Sequence, residues 1–485
     1  MSGKKFDYKG FLSPFTWRYG SPQMREIFSE VNYRAIWRKI WVSLAEAQAK
    51  CGLVSREELE DLRSKMGSEN IDIERAHEIE KEIGHDLMAE IRTYAEQCSK
   101  GGGKIHLGAT SMDIEDNADV LRMREALDLI LTRLVNCLDS LSEKMKEYRD
   151  VPCMGWTHLQ PAEPTTLGYR FAMYAQDLTL DIRMIEILLS DFLKGKGIKG
   201  AVGTSASFKR LLEGEGEPAD IEDEVMRKLG LDSFAVTTQT YPRKIDYFVL
   251  SALAGIAQSV YKFALDLRHL QSPPYGELSE PLGGAQVGSS AMPFKKNPIR
   301  SERICSLARY VSALPQIAWE NAAEAVLERT LDDSANRRII LPQGFLAIDE
   351  CLNIYDGIVM DLQVYPKAIE RNLKNYGPFA GTEAVLMRLT KKGKNRQKMH
   401  ERLREISSEA WGALMKGEEN PLRQMLVEDE VIGSELDLGD IDELLEPSVH
   451  IGDAPNRCGK FLEETVEPIL LKYKERIGER SVVKF

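Results

Sequence analysis

This 485-residue chain is short of histidine, has no closely spaced cysteines and carries no excess of positive charge. Each shortage excludes something. The seven cysteines, Cys51, Cys98, Cys137, Cys153, Cys305, Cys351 and Cys458, are odd in number and scattered, with no C-x-x-C pair. That spacing indicates neither a disulfide framework nor a zinc site, and it fits reduced thiols in a cytoplasmic protein. The formal net charge is −12. It argues against nucleic acid or an anionic membrane surface as the main partner, because both select a basic face. A small anionic substrate stays open, provided that arginines gather locally. No run of about 18 apolar residues occurs, so no membrane-spanning helix is expected. The first residues, Met1 to Tyr8, lack the apolar stretch of a signal peptide. Strand signals are weak throughout, and no repeat of roughly 20–50 residues is visible.

What is present is helical periodicity over long stretches. Leu127, Leu131, Leu134, Leu138, Leu141, Met145 and Tyr148 recur at spacings of four and three, on a helix that should begin near Asp116 or Asn117. Leu167, Phe171, Tyr174, Leu178, Ile182, Ile185, Leu189 and Phe192 form a second seam, with Thr165 and Thr166 as its cap. A third runs from Ile245 through Val249, Ala252, Ile256, Ser259, Phe263 and Leu267 to Leu270. A fourth helix should start at Pro298 and run toward Glu328, kinked at Pro315. Core packing accounts for all four seams. Helices of about 30 residues span about 45 Å, too long for a compact monomeric bundle, so partners in other subunits are expected. Composition shifts at Gly101-Gly102-Gly103 and after Val364-Tyr365-Pro366 divide the chain into residues 1–111, 112–364 and 365–485. The fold class is therefore all-α, with three helical domains and long helices in the central one. The acidic stretch Asp437 to Glu446 reads as a solvated connector between helices.

Candidate chemistry concentrates in a few places. Gly283-Gly284-Ala285-Gln286-Val287 leads into Gly288-Ser289-Ser290-Ala291-Met292-Pro293-Phe294-Lys295-Lys296-Asn297. A loop with free backbone N–H groups, a hydroxyl and a lysine is suited to holding an anion. Among the seven histidines, His158 precedes the second long helix in Thr157-His158-Leu159-Gln160-Pro161, where it acts as a polar cap or as a functional group. His85 adjoins Asp86, which either orients the imidazole or caps the next helix. His106 leads into Gly108-Ala109-Thr110-Ser111, an anion-binding pattern ahead of a helix. His77, His269, His400 and His450 have no such context and read as structural or surface residues. Arg329 to Arg338 is dense in polar groups between apolar helices. Its interleaved guanidiniums, Ser334 and Asn336 suit bidentate carboxylate or phosphate binding. Arg300-Ser301-Glu302-Arg303 lies one to two turns after the Gly288 to Asn297 run, with Glu302 seven residues beyond Lys295.

The ten-residue run matches the signature G-S-x-x-M-x-x-K-x-N of the fumarase/aspartase superfamily at every fixed position. Together with Thr157-His158, the Leu107 to Ser111 loop, His85-Asp86 and Glu328-Arg329-Thr330-Leu331-Asp332-Asp333-Ser334, it resembles the adenylosuccinate lyase family, eukaryotic type, from about Arg18-Tyr19 onward. Lys296 departs from the arginine often found beside the fixed positions. The resemblance implies β-elimination of fumarate from adenylosuccinate, and from the succinylaminoimidazole-carboxamide ribotide of purine synthesis, with no metal or cofactor. It implies Ser289 as base, His158 as acid, Lys295 and Asn297 holding the aci-carboxylate, and Glu302 polarising His158. It further implies that Arg18, Tyr19, His85, Asp86, Thr110, Ser111, Gln239, Arg303, Arg329, Ser334 and Arg338 bind the phosphate and carboxylates. A homotetramer with sites shared between chains follows from the same likeness. Another lyase of the superfamily, such as argininosuccinate lyase, and a non-catalytic crystallin-like protein are the competing readings. The presence of Ser289, Lys295, Asn297, His158 and Glu302 disfavours the second.

Overall fold

The computed structural model describes residues 9–281, 292 and 294–480. Five long helices dominate it. They are α3 (Ser111–Glu147), α4 (Leu167–Ile187), α5 (Lys244–Gln271), α6 (Ile299–Ala323) and α7 (Ser334–Met360), preceded by α1 (Glu30–Lys50) and α2 (Asp86–Gln97). Of the first seam, Leu127, Leu131, Leu134, Leu138, Leu141 and Met145 are all buried, as are the eight positions of the third. Each fully buried leucine contributes about 1.5–3 kcal/mol relative to exposure. The second seam holds through Ile185 and then slips. The chain forms a π turn over Leu188–Phe192, and Phe192 is left half-exposed beside Phe248.

Side-chain pairs fix how the helices run. Asn321 at the end of α6 bonds Asn336 at the start of α7, so these two are antiparallel. Arg268 near the end of α5 faces Glu302 near the start of α6, and that pair is antiparallel too. α3 and α7 run together, from Arg337–Asp119 at one end to Ser140–Asp356 at the other. The bundle therefore has two distinct ends. One gathers the starts of α3, α5 and α7. The other gathers the end of α5 and the starts of α4 and α6.

Three expectations change. α3 begins at Ser111 rather than near Asp116, because Thr110 occupies the cap position and Asp113 takes its N–H at 2.9 Å. Asp116, near which the helix was expected to begin, is instead paired inside the bundle with Arg243, and Asp119 with Arg337. α6 ends at Ala323, short of Glu328, and carries Pro315 within it. Asp437 to Glu446 is no connector. Asp437 caps a helix over Leu438–Leu445 that buries Ile441, Leu444 and Leu445.

Among the described residues, four short strands interrupt the helices. β1 (Pro152–Thr157) and β2 (Gln160–Thr166) form an antiparallel hairpin whose register shifts between Met154 and Trp156. Its two turn residues, His158 and Leu159, have φ of 54° and 60°, the left-handed pair that a two-residue hairpin turn requires. β3 (Leu278–Ser279) pairs with β4 (Gln363–Val364) and ties the exits of α5 and α7 together. Thr166 ends the hairpin and caps α4, accepting the N–H of Tyr169 at 3.2 Å. Thr166→Ala is expected to lower stability by about 1 kcal/mol, seen as an earlier denaturant midpoint with an unchanged slope. An unshifted midpoint would show that the strand, not the cap, sets where α4 begins.

Among the described residues, α5 is the one helix long and apolar enough to cross a membrane. More than half of its apolar stretch is buried, against α4, α6 and α7, so it is a bundle helix. A second apolar cluster, from Val385 to Leu445, is separate from the main one, whereas Cys458, Leu462 and Val466 rejoin the main core.

Candidate active site

The residues singled out by sequence fall into three groups. The first lies at the hairpin end of the bundle. His158 is exposed at the hairpin tip, and its neighbour Leu159 accepts the Tyr275 hydroxyl at 3.3 Å. Tyr275 follows the end of α5. From the same end of α5, Gln271 donates to the Lys296 carbonyl at 2.9 Å, which brings the segment ahead of α6 alongside. Lys295 is exposed, its N–H donating to the Met292 carbonyl at 3.0 Å, and the Asn297 carbonyl accepts the N–H of Ile299. Glu302 is half-exposed, 4.0 Å from Arg268. Among the described residues no hydrogen bond joins Glu302 to His158, so the polarising contact expected between them is not made within one chain. Ser289, and the run from Leu282 to Ala291, lie outside the described residues.

The second group lies at the opposite end. His85 caps α2, taking the N–H of Met88 at 3.4 Å, and its Nδ1 is 3.6 Å from Asp86. Asp86 accepts Arg338 at 2.6 Å. Burial alone would raise the Asp86 carboxyl, but the Arg338 charge and hydrogen bond hold it below its ordinary range. Arg338, Arg329 and Ser334 line a cavity of about 400 Å³ with Tyr33, Met112 and Glu115. Thr110 and Ser111 open α3 directly before Met112. The Gln239 N–H donates to the Glu328 carbonyl at 3.2 Å, which anchors the stretch that carries Arg329.

The arginine block divides by neighbourhood. Arg337 is buried and committed to the fold, held by Asp246 at 2.7 Å, Asp119 at 3.1 Å and the Tyr241 hydroxyl at 2.7 Å. Arg329 and Arg338 line the same cavity and are each bonded to a single carboxylate, Asp333 and Asp86. Asp333 accepts Arg329 at 2.9 Å and Arg243 at 2.7 Å, and Arg243 also bonds Asp116 at 3.0 Å. Arg243 thus sets the position of Arg329 through Asp333. Sequence reasoning missed it, because its partners lie far away along the chain and no local pattern marks it. Glu115 was missed as well, and burial pushes its carboxyl up to about 8. His106 is structural. Burial takes it down to about 4, and its Nδ1 accepts the Trp41 indole N–H at 3.1 Å.

The third group surrounds Tyr19. The Arg18 guanidinium lies 5.8 Å from the Tyr19 ring centre and that of Arg303 5.9 Å from it. Glu350 accepts the Gly20 N–H at 3.1 Å and stands 3.7 Å from Arg303. Between Glu302 and Asn321, α6 rises about 28 Å, so the first and second groups cannot surround one small molecule in a single chain.

Residues 18–312 match the family described as Lyase, and residues 378–461 match Adenylosuccinate lyase C-terminus. The chain is 40% identical to the adenylosuccinate lyase of Saccharomyces cerevisiae, over 98% of this chain and 99% of that one. It is likewise 40% identical to the adenylosuccinate lyase of Schistosoma mansoni, over 98% and 99%. It belongs to the adenylosuccinate lyase family. Against solved structures, the 3-carboxy-cis,cis-muconate lactonizing enzyme of Pseudomonas putida superposes with a TM-score of 0.84 at 25% identity, covering 94% of this chain and 99% of that one. A Mesorhizobium fumarate lyase superposes with a TM-score of 0.81 at 24% identity, covering 94% and 100%. Adenylosuccinate lyase membership makes the chain a lyase of the fumarase/aspartase superfamily and agrees with its all-α architecture.

Proposed function

We propose that this chain cleaves adenylosuccinate to fumarate and AMP, and that the same site cleaves succinylaminoimidazole-carboxamide ribotide. The observation that carries the reading is full-length identity of 40% to adenylosuccinate lyases, combined with an intact signature. In the elimination a base removes the proton on Cβ of the succinyl group. The electron pair passes into the adjacent carboxylate as an aci-carboxylate, then returns to form the carbon–carbon double bond of fumarate as the carbon–nitrogen bond breaks. The leaving nitrogen takes a proton from an acid.

Ser289 acts as the base and His158 as the acid. Serine is a weak base at its ordinary pKa, so an alkoxide needs donors around it. The glycine-rich lead-in supplies backbone N–H groups and Lys295 supplies a cation. Lys295 and Asn297 then hold the aci-carboxylate, and Glu302 of a neighbouring chain orients His158. The Asp86–Arg338 pair with His85, Thr110, Ser111, Gln239, Arg329 and Ser334 holds one anionic end of the substrate. Arg18, Tyr19 and Arg303 hold another.

A homotetramer brings the three groups together. Two observations support it. The groups lie at opposite ends of each bundle, and α4 exposes an apolar stripe of Tyr169, Met173, Leu180 and Met184. Six of the seven free cysteines are buried and none is paired, which fits a cytoplasmic protein.

Incubation with adenylosuccinate is expected to release fumarate and AMP in equal amounts, followed by chromatography. Turnover is expected to be unchanged after exhaustive chelation. Loss of activity on chelation, with recovery on adding a divalent ion, would overturn the cofactor-free mechanism. Failure to release fumarate at all would overturn the reading itself.

A further inference from the structure

The cavity between Arg329, Ser334 and Arg338 contains a group that the mechanism above does not use. Glu115 stands on the second turn of α3 and lines that cavity with 6% of its surface exposed. Its carboxyl group makes no hydrogen bond and has no cation within ion-pair distance among the described residues. The other carboxylates around the cavity are all paired. Asp86 holds Arg338, Asp116 holds Arg243, and Asp119 holds Arg122 and Arg337. Glu115 instead faces the open space of the cavity beside two arginines and a serine, which is where an anionic ligand would sit.

We propose that Glu115 is a substrate-binding residue: in its protonated form it donates its carboxyl O–H to an anionic oxygen of the substrate, phosphate or succinyl carboxylate, held between Arg329, Ser334 and Arg338. This rests on the adenylosuccinate lyase reading and adds to it. Ionised, the same group would sit beside Asp86, Asp116 and Asp119 and would repel that oxygen. The charged and titratable groups facing it are Tyr33 and Glu30 from α1, Asp86 at the start of α2, Asp116, Asp119 and Arg122 on its own helix, Arg329 ahead of α7, and Arg337 and Arg338 on α7. Burial, reinforced by the aspartates and opposed by Arg338, places its titration at about 8. The donor is therefore present at neutral pH and is lost as pH rises through that value.

The test is the pH dependence of KM for adenylosuccinate in wild type and Glu115→Gln, which keeps an N–H donor but cannot ionise. Wild-type KM is expected to rise about tenfold between pH 7 and pH 9, as one ionisation near 8 dictates, while the variant stays level. Equal slopes in the two proteins overturn the proposal. Should Glu115→Gln fail to fold, calorimetric titration of the wild type at pH 9 in buffers of different ionisation enthalpy reads the same event. Binding should then take up close to one proton. Uptake with AMP assigns the oxygen to phosphate, and uptake with fumarate assigns it to a carboxylate. No uptake with either ligand, or no binding of either, overturns the proposal. Wild-type turnover at pH 7 tests the lyase reading separately from the pH slope.

Discussion

Replacing His158 by alanine is expected to lower kcat on adenylosuccinate by about 10²–10⁴-fold, the range for removal of a general acid, with KM little changed. The fold should survive. His158 is exposed at the tip of a two-residue turn and, among the described residues, its side chain makes no hydrogen bond. Turns of this type prefer Asn-Gly, yet His158 and Leu159 occupy it at φ of 54° and 60°. A non-glycine residue held in the left-handed region costs of order 1–3 kcal/mol and persists where surrounding structure or function requires it. The turn therefore gives up stability to project an imidazole away from the bundle. His158→Asn separates the two roles, because asparagine tolerates the left-handed region but cannot act as the acid. It should match or exceed the wild type in stability and still lack turnover. More than a tenth of wild-type kcat in either variant would move the acid role to another group, with His85 the first to examine.

The long helices were legible because a seam at spacings of three and four survives whatever the helix packs against. Ile245 through Leu270 shows this directly, every position being buried. The hairpin was not legible. Pro161 and Pro164 cannot donate to a ladder and argue against a strand, but a two-stranded hairpin has outer edges where the missing donors go unneeded. The helix over Leu438–Leu445 was hidden by composition. Asp440, Asp442 and Glu443 share its few turns with Ile441, Leu444 and Leu445, so charge outweighed an apolar face of three residues.

The site was legible in part. The signature, His158 and the arginine block stood out by residue type and order. Which arginine is committed to the fold did not, since Arg337 and Arg338 are adjacent, both line the cavity and differ only in neighbours. Asp119 and Asp246, which hold Arg337, reside on other helices. Asp86, which holds Arg338, was noticed for its histidine neighbour rather than for that pairing. Glu115 gave no local signal, because a glutamate on the second turn of a helix is ordinary until the tertiary structure buries it.

Mixing two inactive variants is expected to restore activity. Ser289→Ala alone should lower kcat by at least about 10²-fold with binding largely kept, as loss of a base predicts. His158→Ala alone should be similarly inactive. The hairpin carrying His158 and the segment from Phe294 into α6 lie at the same end of one bundle, yet His158 finds no hydrogen bond to its own Glu302 and both His158 and Lys295 are exposed. Side chains so placed can complete a site with groups from another copy. In a tetramer assembled at random from equal amounts of the two variants, a site whose His158 and Ser289 come from different chains draws an intact copy of each with a chance of one half. About one quarter of wild-type activity should therefore return. A site built within one chain would always lack one of the two groups. Native mass spectrometry establishes that hybrid tetramers have formed. Hybrids without recovered fumarate release would place His158 and Ser289 of each site on the same chain.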